Sequence, residues 1–104
     1  MNVWAIEKDQ CLKVLLIELV HRYGENTLLL DNRIQHSQAI ELFTAKQPQL
    51  RAYIYTFGQT KGQYGIDLKY PIATHNIIGE HEDQRLEQII AILETHLDLK
   101  ERAT

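Results

Sequence analysis

Six residues in the middle of the chain combine aromatic rings with positive charge. They are Arg51, Tyr53, Tyr55, Phe57, Lys61 and Lys69. Aromatic rings on a sheet can stack on nucleic-acid bases while cations meet phosphates. Tyrosines and an arginine are also typical anchors of protein-protein contacts. These six residues are therefore the candidate binding site, and a protein and a nucleotide are the two classes of ligand to distinguish.

Other kinds of chemistry have weaker support in the sequence. There is no nucleophile motif such as G-x-S-x-G, and no two carboxylates can be assigned to facing elements, so we predict no catalytic residues. His75 and His81 lie near acidic residues, but their spacing fits no standard pattern of metal ligands. Acidic residues at the start of a helix are already explained by the helix dipole. We therefore predict neither a metal site nor a cofactor.

Length and composition are those of an ordinary globular protein. The chain has 104 residues, of which 44% are hydrophobic and 24% are charged, and we expect one domain spanning 1–104. The single cysteine, Cys11, excludes an internal disulfide and lies in an apolar helical pattern typical of a packed thiol. No positively charged start is followed by a long apolar stretch. We expect a cytoplasmic protein without a membrane partner.

The candidate residues belong to a predicted β-hairpin. In the first strand, 50–57, the side chains alternate between two sets: Leu50, Ala52, Ile54 and Thr56 on one face, and Arg51, Tyr53, Tyr55 and Phe57 on the other. A polar turn with glycine at 58 and 62 follows. The return strand, 64–70, places its apolar residues on the first face, and Gly65, Asp67 and Lys69 on the second. The candidate rings, Arg51 and Lys69 should therefore share one face, while Lys61 lies in the turn.

Two helices are predicted at the ends of the chain. The first runs from about Asp9, a plausible N-cap, to Tyr23, because leucines recur at helical spacing and Gly24 follows. The second runs from about Glu80 to Leu99. Gly79 marks its start after a connector at 72–79, and acidic residues at 80, 82 and 83 occupy its first turn.

The segment between the first helix and the hairpin is more ambiguous. Residues 27–30 form a short apolar run typical of a strand. Ser37 could cap a helix, yet Ile40 and Leu42 alternate with Glu41 and Phe43, as in a strand. We favour the strand, because it makes an antiparallel meander with a turn at Pro48. The predicted fold is α+β, with both helices on one face of a sheet of three to five strands.

This arrangement leaves the aromatic face of the hairpin without a predicted layer above it. An exposed aromatic patch of this size is uncommon on a monomer and implies a second layer, a partner or a ligand. Helices of the chain covering both faces are the simplest alternative. We predict a small non-enzymatic regulatory or adaptor protein that binds another protein, most simply as a homodimer. Nucleotide or single-stranded nucleic-acid binding is the alternative, although a net charge of −3 opposes it, and a small enzyme is the third option.

Overall fold

The computed structural model describes residues 3–72 and 77–100, apart from the side chains of Trp4 and residues 77–80. Along the chain, an antiparallel five-stranded sheet follows an N-terminal helix and precedes a C-terminal helix, which confirms the predicted α+β fold. A 3₁₀ turn, Val3–Ala5, precedes helix α1, Gln10–Tyr23, and helix α2 is Leu86–His96. The strands are β1 Leu29–Leu30, β2 Ala39–Phe43, β3 Arg51–Tyr55, β4 Tyr64–Lys69 and β5 Ile77–Gln84.

Helix α1 begins and ends where the sequence predicts. Asp9 occupies the N-cap position without capping the helix by its side chain. Instead, its carboxylate accepts a 2.8 Å hydrogen bond from the Thr56 hydroxyl, which ties the helix start to the end of β3. Gly24 follows with φ of 96°, a conformation that glycine adopts at little cost and that ends the helix.

The sheet is a simple meander in the order β1-β2-β3-β4-β5, so each strand pairs with the next one along the chain. The ambiguous segment is the strand β2, as favoured above, and its Ile40 pairs with Ile54 of β3. Ile54 in turn pairs with Ile66 of β4. The predicted central hairpin is confirmed, and β3 lies in the middle of the sheet.

Both helices pack on the same face of the sheet. Leucines on the inner side of α1 and the residues Ile89, Ile90 and Leu93 of α2 belong to one core cluster with the apolar residues of the three central strands. Ala52 and Ile54 of β3 are completely buried in this cluster. Burying a leucine or isoleucine side chain stabilises a fold by about 1.5–3 kcal/mol. This single layer of helices therefore provides the main apolar core.

The predicted start of the second helix is wrong. Residues 77–84, expected as a connector and a first helical turn, form strand β5 and pair with β4, and α2 begins only at Leu86. Arg85 is the N-cap, and Gln88 completes a capping box with it. Sheet pairing explains the difference, because the free edge of β4 offers β5 a ladder of backbone hydrogen bonds that an acidic helical turn would not use.

The pairing of β5 with β4 is irregular, so β5 lacks the alternating sequence pattern of a regular strand. His81 pairs with Ile66 and Gln84 with Tyr64, so β5 has one residue more than β4 over this interval. Asp83 lies in this bulge with φ of 50°. Its backbone N–H donates to the Gln59 side chain at 2.6 Å, and its carboxylate accepts from the Thr60 N–H at 2.7 Å. The bulge breaks the period of two that marks a strand, and it also fixes the hairpin loop against β5.

The hydroxyl of Tyr64 joins the sheet to α1 and gives a test of this packing. It donates a 2.6 Å hydrogen bond to the Cys11 carbonyl, and burial raises the pKa of Tyr64 to about 12. An exposed tyrosine has a pKa of about 10. The neutral hydroxyl therefore stabilises the fold below about pH 10, and this contribution is lost as the pH rises towards about 12.

We expect Tyr64→Phe to lower the free energy of unfolding by about 1 kcal/mol at neutral pH, because one hydrogen bond is lost. The difference from wild type should shrink at alkaline pH, where wild type loses the same bond. Urea unfolding at several pH values measures both effects, with Tyr53→Phe on the opposite face as the control. A constant difference at all pH values would show that the Tyr64 hydroxyl does not titrate as proposed.

Candidate functional site

The second face of the sheet carries most of the predicted binding residues. We call it the open face and define it by the side chains opposite the helices: Leu29, Ala39, Glu41, Phe43, Arg51, Tyr53, Tyr55, Gly65, Asp67, Lys69 and Glu82. Phe57 extends it beyond the end of β3. In the described part of the chain, both helices belong to the core on the other side of the sheet. The expectation that α1 and α2 share one face is therefore confirmed.

A stack of aromatic rings covers the open face at the C-terminal end of β3. Tyr55 lies across the strand pair onto Gly65, its partner in β4, so that a methyl group at Gly65 would overlap the tyrosine ring. Phe57 stacks on Tyr55 with ring centroids 4.7 Å apart, and His36 lies 5.1 Å from Phe57. Only 6% of Tyr55 is exposed, against 37% of Phe57. Phe57 is therefore the exposed ring, whereas Tyr55 is part of the packing.

Arg51 is held by neighbours on the open face. Its guanidinium lies 4.0 Å from the centroid of the Phe43 ring. It also donates to the Asp31 carboxylate at 2.8 Å and to the Pro48 carbonyl at 2.9 Å. Glu41 is 3.5 Å away. A phosphate near Arg51 would therefore also lie near the negative charges of Asp31 and Glu41.

Lys69 is held in a similar way. Its ammonium passes over the ring of Tyr53, 5.2 Å from the centroid, and reaches Glu41 at 2.6 Å. The side chains of Glu41 and Asp31 are only 7% and 6% exposed. Nearly buried carboxylates require such partners. The two cations of the open face are therefore largely neutralised within the molecule.

Burial and two nearby carboxylates raise the pKa of the Tyr55 hydroxyl. Burial is the main cause that raises the pKa of Tyr55 to about 12, and the negative charges of Asp67 and Glu82 add to it. The hydroxyl donates to Glu82 across 3.4 Å, a long hydrogen bond. A tyrosine with this pKa stays protonated at neutral pH, so it is a hydrogen-bond donor here rather than a base.

Five of the six predicted binding residues therefore come together, and Lys61 does not. Lys61 lies exposed in the hairpin loop between Thr56 and Gln63. Sequence reasoning missed Phe43, Asp31 and Glu41, which fix the two cations. The alternation in β2 places Phe43 and Glu41 on the open face once its register with β3 is known. Nothing in the sequence indicates that Asp31, beyond the end of β1, reaches Arg51.

The histidines provide no comparable site in the described structure. His75, half of the suggested metal pair, lies outside the described residues, and His81 lies in β5 rather than in a helix. His96 shares a 2.8 Å hydrogen bond with the Arg51 carbonyl and meets the Tyr70 ring edge-on, which is a packing role. Among residues 3–72 and 77–100, no three histidine, cysteine or acidic side chains are placed to hold a metal ion.

One cavity of the described structure lies apart from the candidate residues. It has a volume of about 620 Å³ and is lined by Asn26, Thr27, residues 44–47 and residues 97–100. None of the six predicted binding residues lines it. Its charged lining residues are Lys46, Asp98 and Lys100, which favour no single class of ligand.

Comparison of the chain with protein-family models, curated proteins and solved structures gave no match. Neither of the described helices is both long enough and apolar enough to cross a membrane. The open face therefore remains the candidate functional site.

The contact between Tyr55 and Gly65 can be tested by adding one methyl group. We expect Gly65→Ala to lower the free energy of unfolding by about 1–3 kcal/mol, because the tyrosine ring must leave its packed position. In a Tyr55→Ala background the same substitution should cost much less, since the obstructing ring is absent. Urea unfolding of the four proteins measures this coupling. Equal costs in both backgrounds would contradict the contact.

Asp31 predicts how stability should respond to acid. Hydrogen bonds from Arg33, followed by the charge of Arg51, hold the pKa of Asp31 below its ordinary value. Because the pKa is lowered on folding, the carboxylate stabilises the fold above about pH 4 and loses this contribution as the pH falls further. Asp31→Asn should therefore be less stable than wild type at pH 7, and the two should converge at low pH.

Thermal unfolding at a series of pH values checks this behaviour, with the exposed Glu25→Gln variant as the control. A gap between wild type and Asp31→Asn that is the same at neutral and acid pH would contradict the ion pairs of Asp31.

Proposed function

We propose that this chain is a small non-enzymatic binding protein of the cytoplasm, and that it acts as a homodimer joined through the open face. The observation that carries the proposal is the one-sided packing of the sheet. The described helices cover one face, while the other presents an aromatic stack that ends in the exposed ring of Phe57. Exposed aromatic surface on an otherwise polar face is typical of protein-protein contacts.

The charge pattern of the open face supports a protein partner over a polyanion. Arg51 and Lys69 are paired with Asp31 and Glu41 inside the molecule, so covering the face leaves no isolated charge there. Within the described residues, every buried side-chain nitrogen and oxygen has a hydrogen-bond partner. Nucleic-acid binding would instead bring phosphates next to the carboxylates that already pair with Arg51 and Lys69. Of the three cations among the six candidate residues, only Lys61 forms no ion pair in the described structure.

The size of the face favours a reversible dimer over a permanent one. Five strands at a spacing of ~4.8 Å and a length of ~17 Å cover about 400 Å². A stable interface buries about 800 Å² per partner. The flat area alone is thus about half of that value, and contacts from the hairpin loop and from the rings add to it. We therefore expect a reversible dimer with a dissociation constant on the order of micromolar.

Sedimentation velocity over a concentration series tests the proposal. Wild type should pass from monomer to dimer as its concentration rises. Phe57→Asp should weaken this dimer by about tenfold or more, since a buried charge without a partner is unfavourable. Phe57 suits the test because its ring is partly exposed, whereas Tyr55→Ala would also remove packing over Gly65.

The matched control is Val14→Asp, on the outer side of α1. The exposed fraction of Val14 is 42%, similar to the 37% of Phe57. Val14 belongs to helix α1 and not to the open face. It should dimerise like wild type. A wild-type chain that stays monomeric at every concentration would overturn the homodimer, and an unaffected Phe57→Asp dimer would place the contact elsewhere.

A further inference from the structure

The segment 31–38, between β1 and β2, forms one border of the open face. Asp31 at its start holds Arg51, and the ring of His36 lies against the exposed ring of Phe57. At its end, the Gln38 carbonyl accepts a 2.9 Å hydrogen bond from the Thr56 N–H. The position of this loop therefore determines the surroundings of both Arg51 and Phe57.

Little apolar packing holds the middle of this loop. A cavity of about 240 Å³ lies beneath it, lined by residues that include Ile6, Leu30 and Ile34. Arg33, His36 and Ser37 are exposed. A segment over a cavity gains little from van der Waals contact, so its position depends on polar contacts.

Three further polar contacts of the loop come from the residues just before α1. The ammonium of Lys8 donates to the carbonyls of Ile34 and His36, at 2.8 Å in both cases. The backbone N–H of Asp9 donates to the Ser37 carbonyl, also at 2.8 Å. Lys8 thus joins two successive turns of the loop. The neighbouring Asp9 carboxylate accepts a hydrogen bond from Thr56, which fixes the start of α1 next to the end of β3.

From these contacts we infer that Lys8 is a positioning residue for the open face: it holds loop 31–38 in place and thereby sets the affinity of the contact. This inference rests on the proposed homodimer. Lys8 acts through the loop, since its ammonium contacts Ile34 and His36 rather than Phe57 or Arg51. Removing the charge of Lys8 should therefore change the position of the loop, and with it the surroundings of Phe57 and Arg51, without removing a direct contact to either residue.

The ammonium has chemical properties that a neutral side chain lacks. It offers three N–H donors at the end of a long flexible chain, and its charge strengthens each hydrogen bond to a carbonyl. Arginine keeps both the charge and several donors. Methionine keeps a similar length but donates nothing. Comparing Lys8→Arg with Lys8→Met therefore distinguishes the effect of the hydrogen bonds to the loop from the effect of side-chain packing.

Two measurements on the full-length protein test the inference. Amide hydrogen exchange of residues 34–38 reports the position of the loop, and sedimentation velocity reports the dissociation constant of the dimer. Lys8→Met should speed exchange in the loop and weaken the dimer by roughly tenfold, the effect of losing hydrogen bonds to a partly exposed charged group. Lys8→Arg should restore most of both properties. Lys13→Met, on α1, is the matched control and should change neither.

The outcomes separate the two proposals. Faster loop exchange together with a weaker dimer in Lys8→Met supports the positioning role. A wild-type chain that never dimerises overturns the homodimer and this inference with it. A wild-type dimer whose affinity is unchanged in Lys8→Met overturns the inference alone, as does unchanged exchange in the loop. If Lys8→Met unfolds, Lys8→Gln is measured in its place against the same outcomes.

Discussion

The main constraint on this structure is that both described helices lie on one side of a five-stranded meander. The central strand β3 buries Ala52 and Ile54 completely beneath them, while its alternate residues, Arg51, Tyr53 and Tyr55, point away. A sheet of this width has two faces, and apolar surface on the second must be covered by something other than those helices. The molecule meets this requirement with its own side chains. Tyr55 lies on Gly65 and Phe57 lies on Tyr55, so two rings replace part of a second layer.

This solution has a limit at the outermost ring. Each ring covers the one beneath it, and the exposed fraction rises from 6% at Tyr55 to 37% at Phe57. The last ring of such a stack has no further side chain of β3 above it. His36 contacts it from the loop at the border, which is why the position of that loop matters for the surface as a whole. The base of the stack therefore serves packing, and we propose that the exposed ring at its top serves recognition.

Much of the fold follows from local patterns in the sequence. The leucine spacing before Gly24, the alternation in β2 and β3, and the turn glycines near Lys61 each depend on neighbours along the chain, and the structure agrees with all of them. The sequence does not indicate strand β5, because the bulge at Asp83 breaks the alternation and because acidic residues before an apolar stripe resemble a helix start. Its pairing with β4 is a tertiary contact, and tertiary context overrides local propensity.

The candidate site also has a part that follows from local sequence patterns and a part that depends on tertiary contacts. Alternation alone places Arg51, Tyr53, Tyr55 and Lys69 on one face, and register adds Phe43 and Glu41. Whether a cation is available to a ligand is a different question, since it depends on where a distant carboxylate lies. Asp31 reaches Arg51 from twenty residues away in the chain. In the sequence, the arginine and lysine resemble a phosphate-binding pair.

The contacts of these cations change what the open face can recognise. A cation that is already paired contributes little attraction towards a polyanion, because any gain at a phosphate is offset by the loss of its carboxylate. The same pairing makes the face less costly to cover with protein, since the charges enter the interface with their partners. Aromatic surface beside neutralised charge is the composition that suits a protein contact. For this reason we propose that these residues form part of a surface that binds protein. Of the two ligand classes indicated by the sequence, protein is the one that their contacts favour.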